Sequence, residues 1–271
     1  MSPSTLTDDA AQRFADDGAC LVRGAVTADE LEAARGAVDA LLAADELADL
    51  SAIAGSTETP RFRGGVDHWR PHDDFARLAT RGSLPAITAA VLGTGRLWLY
   101  EDSVLVKDAR SSVPTRWHTD DGYFHVEGEQ LATVWLALDP APGSAGALRF
   151  VRGSHRAAVR YRPTLFVTDD PIPGTDGELP PSIDDDGPDV IGWDLDPGDL
   201  TIHHARTLHA AGGNGSDTAR RALSIRYCGE RSVVRVKPGA PGKPGFEAIA
   251  DGTPLAEVAQ QLGLLEAVLP A

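Results

Sequence analysis

The sequence has few cysteines and no long apolar run, and each scarcity excludes a class of protein. With only Cys20 and Cys228 in its 271 residues, the chain cannot build a disulfide framework and is typical of a reducing compartment. No apolar stretch approaches the ~20 residues that a membrane-spanning helix needs. Residues 1–9 lack the basic and apolar segments of a secretory signal. We therefore expect a cytoplasmic protein without a membrane partner.

Basic residues are also scarce relative to acidic ones. The chain has 25 Lys and Arg against 40 Asp and Glu, a formal net charge of −15. Nucleic acids and anionic membrane surfaces attract positively charged proteins, so neither is an expected partner. The expected partner is a small-molecule substrate, and composition does not fix an oligomeric state.

The periodicity of apolar residues predicts a mainly β fold with flanking helices. Thr27 and Glu30 have the spacing of a capping box before an amphipathic stretch that reaches Ala44. A further helix is expected over residues 84–92. From Leu97 onward, short strand-like runs alternate with Pro, Gly and Asp, as expected for a double-stranded β-helix, the jelly-roll core of cupin-like proteins.

We expect these segments to form one domain over residues 1–271, since barrels with attached helices reach this length. Residues 1–95 would be mostly helical support, 96–236 the jelly-roll core, and 237–271 a C-terminal helical tail broken at Gly263. Residues 166–190 are acidic, Pro-rich and without periodicity. Such a segment is either a lid or a solvated loop, and its place between the two motifs described next favours a lid.

The motif Trp117-His118-Thr119-Asp120 can bind a metal ion. Residues i and i+2 of an extended strand point to one face, so His118 and Asp120 can reach the same ion while Thr119 points away. A chain with eight histidines and many aspartates has about one His-x-Asp by chance. The motif gains weight from a second segment, in which a Pro-Gly turn and a β-branched run lead to His209.

Two imidazoles and one carboxylate, from His118, Asp120 and His209, would form an open metal site. On an octahedral Fe(II) they leave three positions for a bidentate cosubstrate and O2. Arg220 follows His209 after a Gly- and Asn-rich turn, which is long enough for a tight reversal that returns the arginine beside the metal.

From about residue 96 to 229 the chain resembles the phytanoyl-CoA dioxygenase family of Fe(II)/2-oxoglutarate oxygenases. The likeness rests on an ordered series of segments: Trp117–Asp120, Val134–Asp139, Gly146–Val151, Gly153–His155, Pro197–Asp199, His209 with Asn214, and Arg220–Ser224. Thr119 stands where Gln is frequent and Arg152 where Pro is frequent, and neither is a ligand. The resemblance implies iron ligands at His118, Asp120 and His209, and implies that Arg220 binds the distal carboxylate of 2-oxoglutarate.

Further residues are candidates for the cosubstrate. Arg220 and Arg221 fall on opposite faces of a strand, and Arg220 shares its face with Ala222 and Ser224, which are small enough to leave room for a dicarboxylate. Lys107 matches a family position that contacts the cosubstrate, and the alternative is a strand-end lysine in water. Trp135 either walls the cosubstrate pocket or belongs to the core.

Substrate contacts are sought next to the ligand pair. Asp121, Tyr123 and His125 directly follow it and are expected near the mouth of the pocket. His203 and His204 precede the distal ligand, and at most one of them can face inward. We discount both as ligands.

The resemblance implies oxidation of an unactivated C–H bond of a small metabolite, with O2 consumed and succinate and CO2 released. Asp120 argues against halogenation, because related halogenases have a small residue there. Hydroxylation, oxidative cyclisation, desaturation and epimerisation remain open, and bacterial secondary-metabolite biosynthesis is the expected setting. The alternatives are an acyl-CoA hydroxylase, or a cupin-type isomerase or binding protein without redox chemistry, which would have no use for Arg220.

Overall fold

The computed structural model describes residues 3–56 and 60–270. Met1 and Ser2, which also entered the prediction about the N-terminus, lie outside the described residues. The helices are α1 Pro3–Asp17, α2 Ala28–Ala43, α3 Asp73–Thr80, α4 Ser83–Leu92 and α5 Leu255–Val258. The strands are β1 Ala19–Val22, β2 Ala48–Asp49, β3 Phe62–Val66, β4 Leu97–Lys107, β5 Thr115–His118, β6 Val126–Glu127, β7 Leu131–Ala137, β8 Leu148–Val151, β9 Val190–Gly192, β10 Leu200–His204, β11 His209–Ala211, β12 Arg220–Gly229, β13 Val233–Val234 and β14 Leu265–Glu266.

Two antiparallel sheets pack face to face. The large sheet has the order β1-β10-β7-β12-β4-β3-β2, with β14 also paired to β4, and the small sheet has the order β5-β11-β8-β9. Trp135 and Ala222 of the large sheet share a buried cluster with Phe150 and Ala211 of the small sheet. This arrangement is the double-stranded β-helix that the sequence predicts.

Strand β12 shows how the large sheet separates core from site. Leu223, Ile225 and Tyr227 belong to the cluster that includes the buried residues of α2, α3 and α4. The alternate residues Arg220 and Ser224 face the small sheet and line a cavity there. The strand period of two therefore puts an apolar face under the helices and a polar face inside the barrel.

The helices agree with the sequence pattern, and the strands near the N-terminus were missed. Thr27 caps α2 with the predicted capping box, and α4 matches the expected helix. The supposedly helical first 95 residues also contain β1, β2 and β3, all in the large sheet. These strands are two to five residues long, too short for a strand period to show in the sequence.

The predicted C-terminal helical tail was wrong. Helix α5 is a single turn, and the chain then turns at Gly263, whose φ is +66°, and adds β14 to the edge of β4. Leu264 and Ala267, which flank this strand, are buried, whereas Leu265 and Glu266 are exposed. Backbone pairing with β4, and not burial of its own side chains, therefore makes this segment a strand. Among the described residues, no helix is long and apolar enough to cross a membrane.

Residues 166–190 contain neither helix nor strand before β9, yet they contact the small sheet. Asp185 accepts a hydrogen bond from Trp117 Nε1 at 3.1 Å and forms a 2.8 Å ion pair with Arg149. Phe166 packs against the ring of His118, with the centroids 5.2 Å apart. This segment therefore covers one side of the predicted metal site.

Candidate active site

Three predicted ligands converge between the two sheets. His118 ends β5, His209 begins β11, and the two are register partners in the small sheet. His118, Asp120 and His209 are all buried, and their ligand atoms lie within 4.8 Å of one another. Nε2 of each histidine is 3.8 Å from Asp120 Oδ1. Two imidazoles and one carboxylate at this spacing fit an open, mononuclear iron site.

Backbone carbonyls orient both imidazoles. His118 Nδ1 lies 2.7 Å from the carbonyl of Arg116, and His209 Nδ1 lies 2.9 Å from that of Thr207. A carbonyl only accepts, so each Nδ1 carries the proton and each Nε2 offers its lone pair to the centre of the cluster. The local chain therefore prepares both rings as neutral ligands.

Asp120 reaches the cluster by a different route from the expected one. Strand β5 ends at His118, and Asp120 has helical backbone angles at the start of a short turn over residues 121–123. This turn, and not strand alternation, brings its carboxylate beside His118. Thr133 Oγ1 donates to Asp120 Oδ2 at 2.5 Å, and His203 Nε2 lies 3.3 Å from the same oxygen. Sequence reasoning discounted His203, although alternation allowed one of the two adjacent histidines, at most, to face inward.

Burial sets the protonation states of the cluster. It lowers the pKa of His118 to about 3, with repulsion from His209 adding to the effect, and that of His209 to about 4, with repulsion from His203 adding to the effect. Burial acts to raise the pKa of Asp120, but the charge of His209 and the hydrogen bond from His203 leave it well below the usual value. Neutral imidazoles and an ionised carboxylate are the forms that bind a metal ion.

Arg220 is a buried cation without a carboxylate partner among the described residues. Its guanidinium lies over the indole of Trp135, 5.2 Å from the ring centroid, and Nη1 has no hydrogen-bond partner there. Burial lowers its pKa to about 10. Its neighbour Arg221 faces the other way and pairs with Asp139 at 2.7 Å and Asp39 at 2.5 Å. Of the two arginines, Arg220 alone lines the cavity that contains the ligands.

The path to Arg220 also differs from the expectation. The chain does not return by a tight reversal within one sheet: β11 is in the small sheet and β12 in the large one, so residues 212–219 cross between them. Asn214 Nδ2 donates to the carbonyls of Lys107, Asp108 and Thr218, which fixes this crossing.

Lys107 is buried and does not extend into water. Its Nζ donates to the carbonyl of Gly212 at 2.5 Å and lies 4.6 Å above the ring of Phe62. Burial, reinforced by repulsion from Arg220, holds its pKa well below the ordinary value. Trp135 and Ser224 line the same cavity as Arg220, and Trp135 Nε1 has no partner among the described residues.

A second cavity of about 330 Å³ opens on the other side of the ligand cluster. His118 and Asp120 form its inner end, and its walls are mainly apolar residues: Leu50, Val66, Leu105, Tyr123, Phe124, Phe166 and Pro241. Arg226, Glu101 and Ser103 supply polar atoms. Phe166 and Arg226 were not predicted, because each belongs to the site only through contacts with distant elements.

The three residues predicted to contact the substrate lie in different surroundings, and only Tyr123 lines the second cavity. Tyr123 lines this cavity, and its hydroxyl donates to the carbonyl of Thr164 at 2.8 Å. His125 points elsewhere: its ring nitrogens bond to the backbone of Pro241 and Lys237. Asp121 pairs with Arg160 at 2.8 Å on the far side of the turn.

The chain is similar to several known proteins. A probable alpha-ketoglutarate-dependent hypophosphite dioxygenase of Stutzerimonas stutzeri is 29% identical over 128 residues, which cover 43% of this chain and only 40% of that protein. The non-heme alpha-ketoglutarate-dependent epimerase SnoN from nogalamycin biosynthesis is 26% identical, with a TM-score of 0.70 and coverage of 94% of this chain and 96% of that one. Its complex with Fe3+, alpha-ketoglutarate and nogalamycin RO is 27% identical, with a TM-score of 0.71 over the same shares of both chains.

A more distant structure shares the fold. The alpha-ketoglutarate-dependent carbocyclase SnoK from nogalamycin biosynthesis is 22% identical, with a TM-score of 0.71, and the match covers 94% of this chain and 93% of that one. The sequence model of the family described as phytanoyl-CoA dioxygenase matches residues 14–222, more than half of the chain. That match includes the ligand cluster and Arg220, and the chain therefore belongs to the phytanoyl-CoA dioxygenase family.

Proposed function

We propose that this protein is an Fe(II)/2-oxoglutarate-dependent oxygenase in which His118, Asp120 and His209 bind the iron. The proposal rests mainly on Arg220, which is buried in the same cavity as the ligand cluster and has no carboxylate partner among the described residues. A metal site without redox chemistry has no use for this guanidinium. The distal carboxylate of 2-oxoglutarate needs a cation at some distance from the metal, and a planar guanidinium binds it with two hydrogen bonds.

Bound iron would supply the activation of O2, coupled to decarboxylation of 2-oxoglutarate to succinate and CO2. The protein's own residues bind, orient and exclude water. Arg220 would hold the distal carboxylate, and the unpartnered Trp135 Nε1 can donate to the same ligand. Lys107 fixes the carbonyl of Gly212, and Ser224 lines the same cavity as Arg220.

The second cavity would bind the substrate, since it begins at the ligand cluster. Its size suits a small metabolite, and its apolar walls favour a molecule with a largely hydrocarbon or aromatic body. Arg226 Nε is buried without a partner among the described residues, so a hydroxyl, carbonyl or carboxylate oxygen of the substrate fits beside it. We expect the reaction to take place at a C–H bond of such a metabolite. The similarity to SnoN, an alpha-ketoglutarate-dependent epimerase from nogalamycin biosynthesis solved with nogalamycin RO, supports a setting in secondary metabolism.

An acyl-CoA substrate fits less well. A coenzyme A phosphate needs free basic residues, but Arg61 lies 3.4 Å from Asp49 and Arg63 lies 2.7 Å from Asp108. Arg70 stacks on Trp69. These three arginines are outside the lining of the cavity and are already engaged in other contacts.

We take the whole chain to be one oxygenase unit. Helices α1 to α4 support the outer face of the large sheet, and residues 166–190 cover the metal side as a lid. The buried and unpaired Cys20 and Cys228 suit a reducing cytoplasm.

An anaerobic absorption titration tests the proposal. Fe(II) and then 2-oxoglutarate are added to the metal-free protein, and a metal-to-ligand charge-transfer band is expected to appear. The band should be absent in His118→Ala, which removes a histidine ligand, and present in His72→Ala, which changes a histidine outside the site. Candidate metabolites that shift the band are then assayed for O2-dependent release of succinate. Metal binding without a band would overturn the oxygenase and favour a cupin-type metal protein.

A further inference from the structure

The two oxygens of the Asp120 carboxylate have different surroundings. Oδ1 lies 3.8 Å from Nε2 of both His118 and His209, at the centre of the ligand cluster. Oδ2 points to the large sheet, where it accepts from Thr133 Oγ1 and lies 3.3 Å from His203 Nε2. One oxygen is thus directed at the metal position and the other is held by the protein.

We propose that His203 is a positioning residue, which together with Thr133 holds Asp120 so that Oδ1 alone binds the metal. The inference rests on the proposed function in taking Asp120 as a ligand. His203 and Thr133 are direct register partners on β10 and β7, so their side chains leave the large sheet side by side and converge on the same oxygen.

The surroundings of His203 argue against a role in packing alone. The residue is 1% exposed, and its Nδ1 has no partner among the described residues. An apolar side chain of similar size would fill this space without leaving a buried polar atom unpaired. Its ring packs 4.2 Å from that of His209 and 5.2 Å from that of Phe150, which fixes its plane. The imidazole is therefore explained by what its Nε2 contacts.

Binding through a single oxygen of Asp120 would keep more coordination positions of the metal free. A carboxylate that binds through one oxygen leaves three positions of an octahedral ion free, which is the number that a chelating cosubstrate and O2 require. Residues that orient a metal ligand typically change metal affinity 10- to 100-fold when they are replaced. Loss of the contact at Oδ2 should therefore alter both affinity and coordination geometry.

The test uses Co(II) alone as the probe, because its visible spectrum reports coordination geometry without turnover. His203→Phe keeps the ring volume and removes the donor, and we expect about 10- to 100-fold weaker Co(II) binding and a changed spectrum. His203→Gln places an amide donor at about the reach of Nε2 and should restore most of both. His204→Phe is the matched control: that residue faces α1, 6.0 Å from the ring of Phe14, and should change neither.

A wild-type Co(II) affinity and spectrum in His203→Phe would overturn the inference. If that variant does not fold, Thr133→Val removes the other donor at constant shape and should change the spectrum in the same direction. An unchanged spectrum there would overturn the shared role. A failure of the proposed function would be recognised by a different result. If the wild-type protein bound Co(II) but gave no charge-transfer band with Fe(II) and 2-oxoglutarate, the proposed function would be wrong, and the Co(II) comparison of the variants would still test the role of His203.

Discussion

Lys107 and Arg220 are register partners across β4 and β12, and both basic side chains are buried in the protein interior. Neither forms a salt bridge with any residue in the described ranges. Two buried like charges are costly unless a counter-charge joins them. A dicarboxylate bound beside Arg220 would supply this counter-charge. Binding of the cosubstrate should therefore relieve the electrostatic cost of burying two basic side chains in the free protein.

Arg220→Leu should weaken 2-oxoglutarate binding about 100-fold. A charge-assisted, bidentate contact contributes about 2–3 kcal/mol, and each 1.4 kcal/mol is a factor of ten in affinity. Arg221→Leu is the control, because Arg221 pairs with Asp139 and Asp39 on the opposite face, and it should change the affinity less than threefold. Titration calorimetry of the metal-loaded proteins measures both. Equal losses in the two variants would contradict the assignment of Arg220.

The same variant should lose thermal stabilisation by the ligand. A ligand that binds only the folded state raises its stability in proportion to the logarithm of ligand concentration over Kd. At 2-oxoglutarate concentrations near 100 times the wild-type Kd, we expect about 2.7 kcal/mol of stabilisation in the wild type and about 0.4 kcal/mol in Arg220→Leu, whose Kd is then close to that concentration. Melting curves with and without 2-oxoglutarate check this, and equal shifts would count against it.

The cluster of His118, Asp120 and His209 and the jelly roll could be predicted because their signals are local. His118 and Asp120 are two residues apart, and the turn before β10 leads directly to His209. The role of His203 could not be predicted in the same way. Both faces of β10 are buried, so hydrophobic alternation does not show which histidine faces the site. Only the long-range pairing of β10 with β7 reveals it.

Other parts of the site depend on contacts that no sequence pattern carries. Phe166 reaches His118 from an irregular segment, and Arg226 enters the cavity from the far end of the strand that begins at Arg220. The short strand β3 forms a cavity wall although its sequence, Phe62–Val66, contains two glycines. Tertiary pairing overrides strand propensity there.

Metal-free protein should lose stability as the pH falls below about 6.5. The folded-state pKa values of His118 and His209 are about 3 and about 4, below the ordinary 6.5. Between pH 6.5 and these folded-state values, the unfolded chain therefore binds more protons than the folded protein does. The free energy of unfolding thus decreases as the pH falls through this range. Between pH 6.5 and pH 5, the two histidines together should lower the free energy of unfolding by about 2–4 kcal/mol. Urea unfolding at both pH values should show a smaller loss in a His118→Asn, His209→Asn double variant, and an unchanged loss in His72→Asn.

Asp102 should act in the opposite direction. Its carboxylate is fully buried without a partner in the described residues, and burial raises its pKa to about 7. Because this folded-state pKa lies above the unfolded value, the folded state binds more protons, and stability is lost as pH rises from about 4 to 7. Asp102→Asn should remove about 2–4 kcal/mol of that loss. Denaturation at pH 5 and pH 8 compares it with Asp29→Asn, at an exposed site, which should show no such change.

Phe166 combines an unfavourable backbone conformation with a contact to His118, a proposed iron ligand. Its φ of +69° is in the left-handed region that residues with a bulky side chain rarely adopt. Such strain persists only where the surroundings enforce it, and here the ring packs against His118 and Phe62. The side chain therefore lies where it would shield the metal from water.

Removal of this ring should increase unproductive chemistry. In Phe166→Ala, water gains access to the metal side of His118, and we expect a several-fold increase in 2-oxoglutarate consumption in the absence of substrate, because exclusion of water is what suppresses side reactions. Leu165→Ala is the control, because the Leu165 side chain, next to Phe166 in the chain, is 37% exposed and does not line the cavity. Succinate formation without substrate measures both variants, with Fe(II) affinity determined in parallel. If the two variants gave the same rate at equal iron loading, the shielding role of Phe166 would be wrong, and the strained backbone would need another cause.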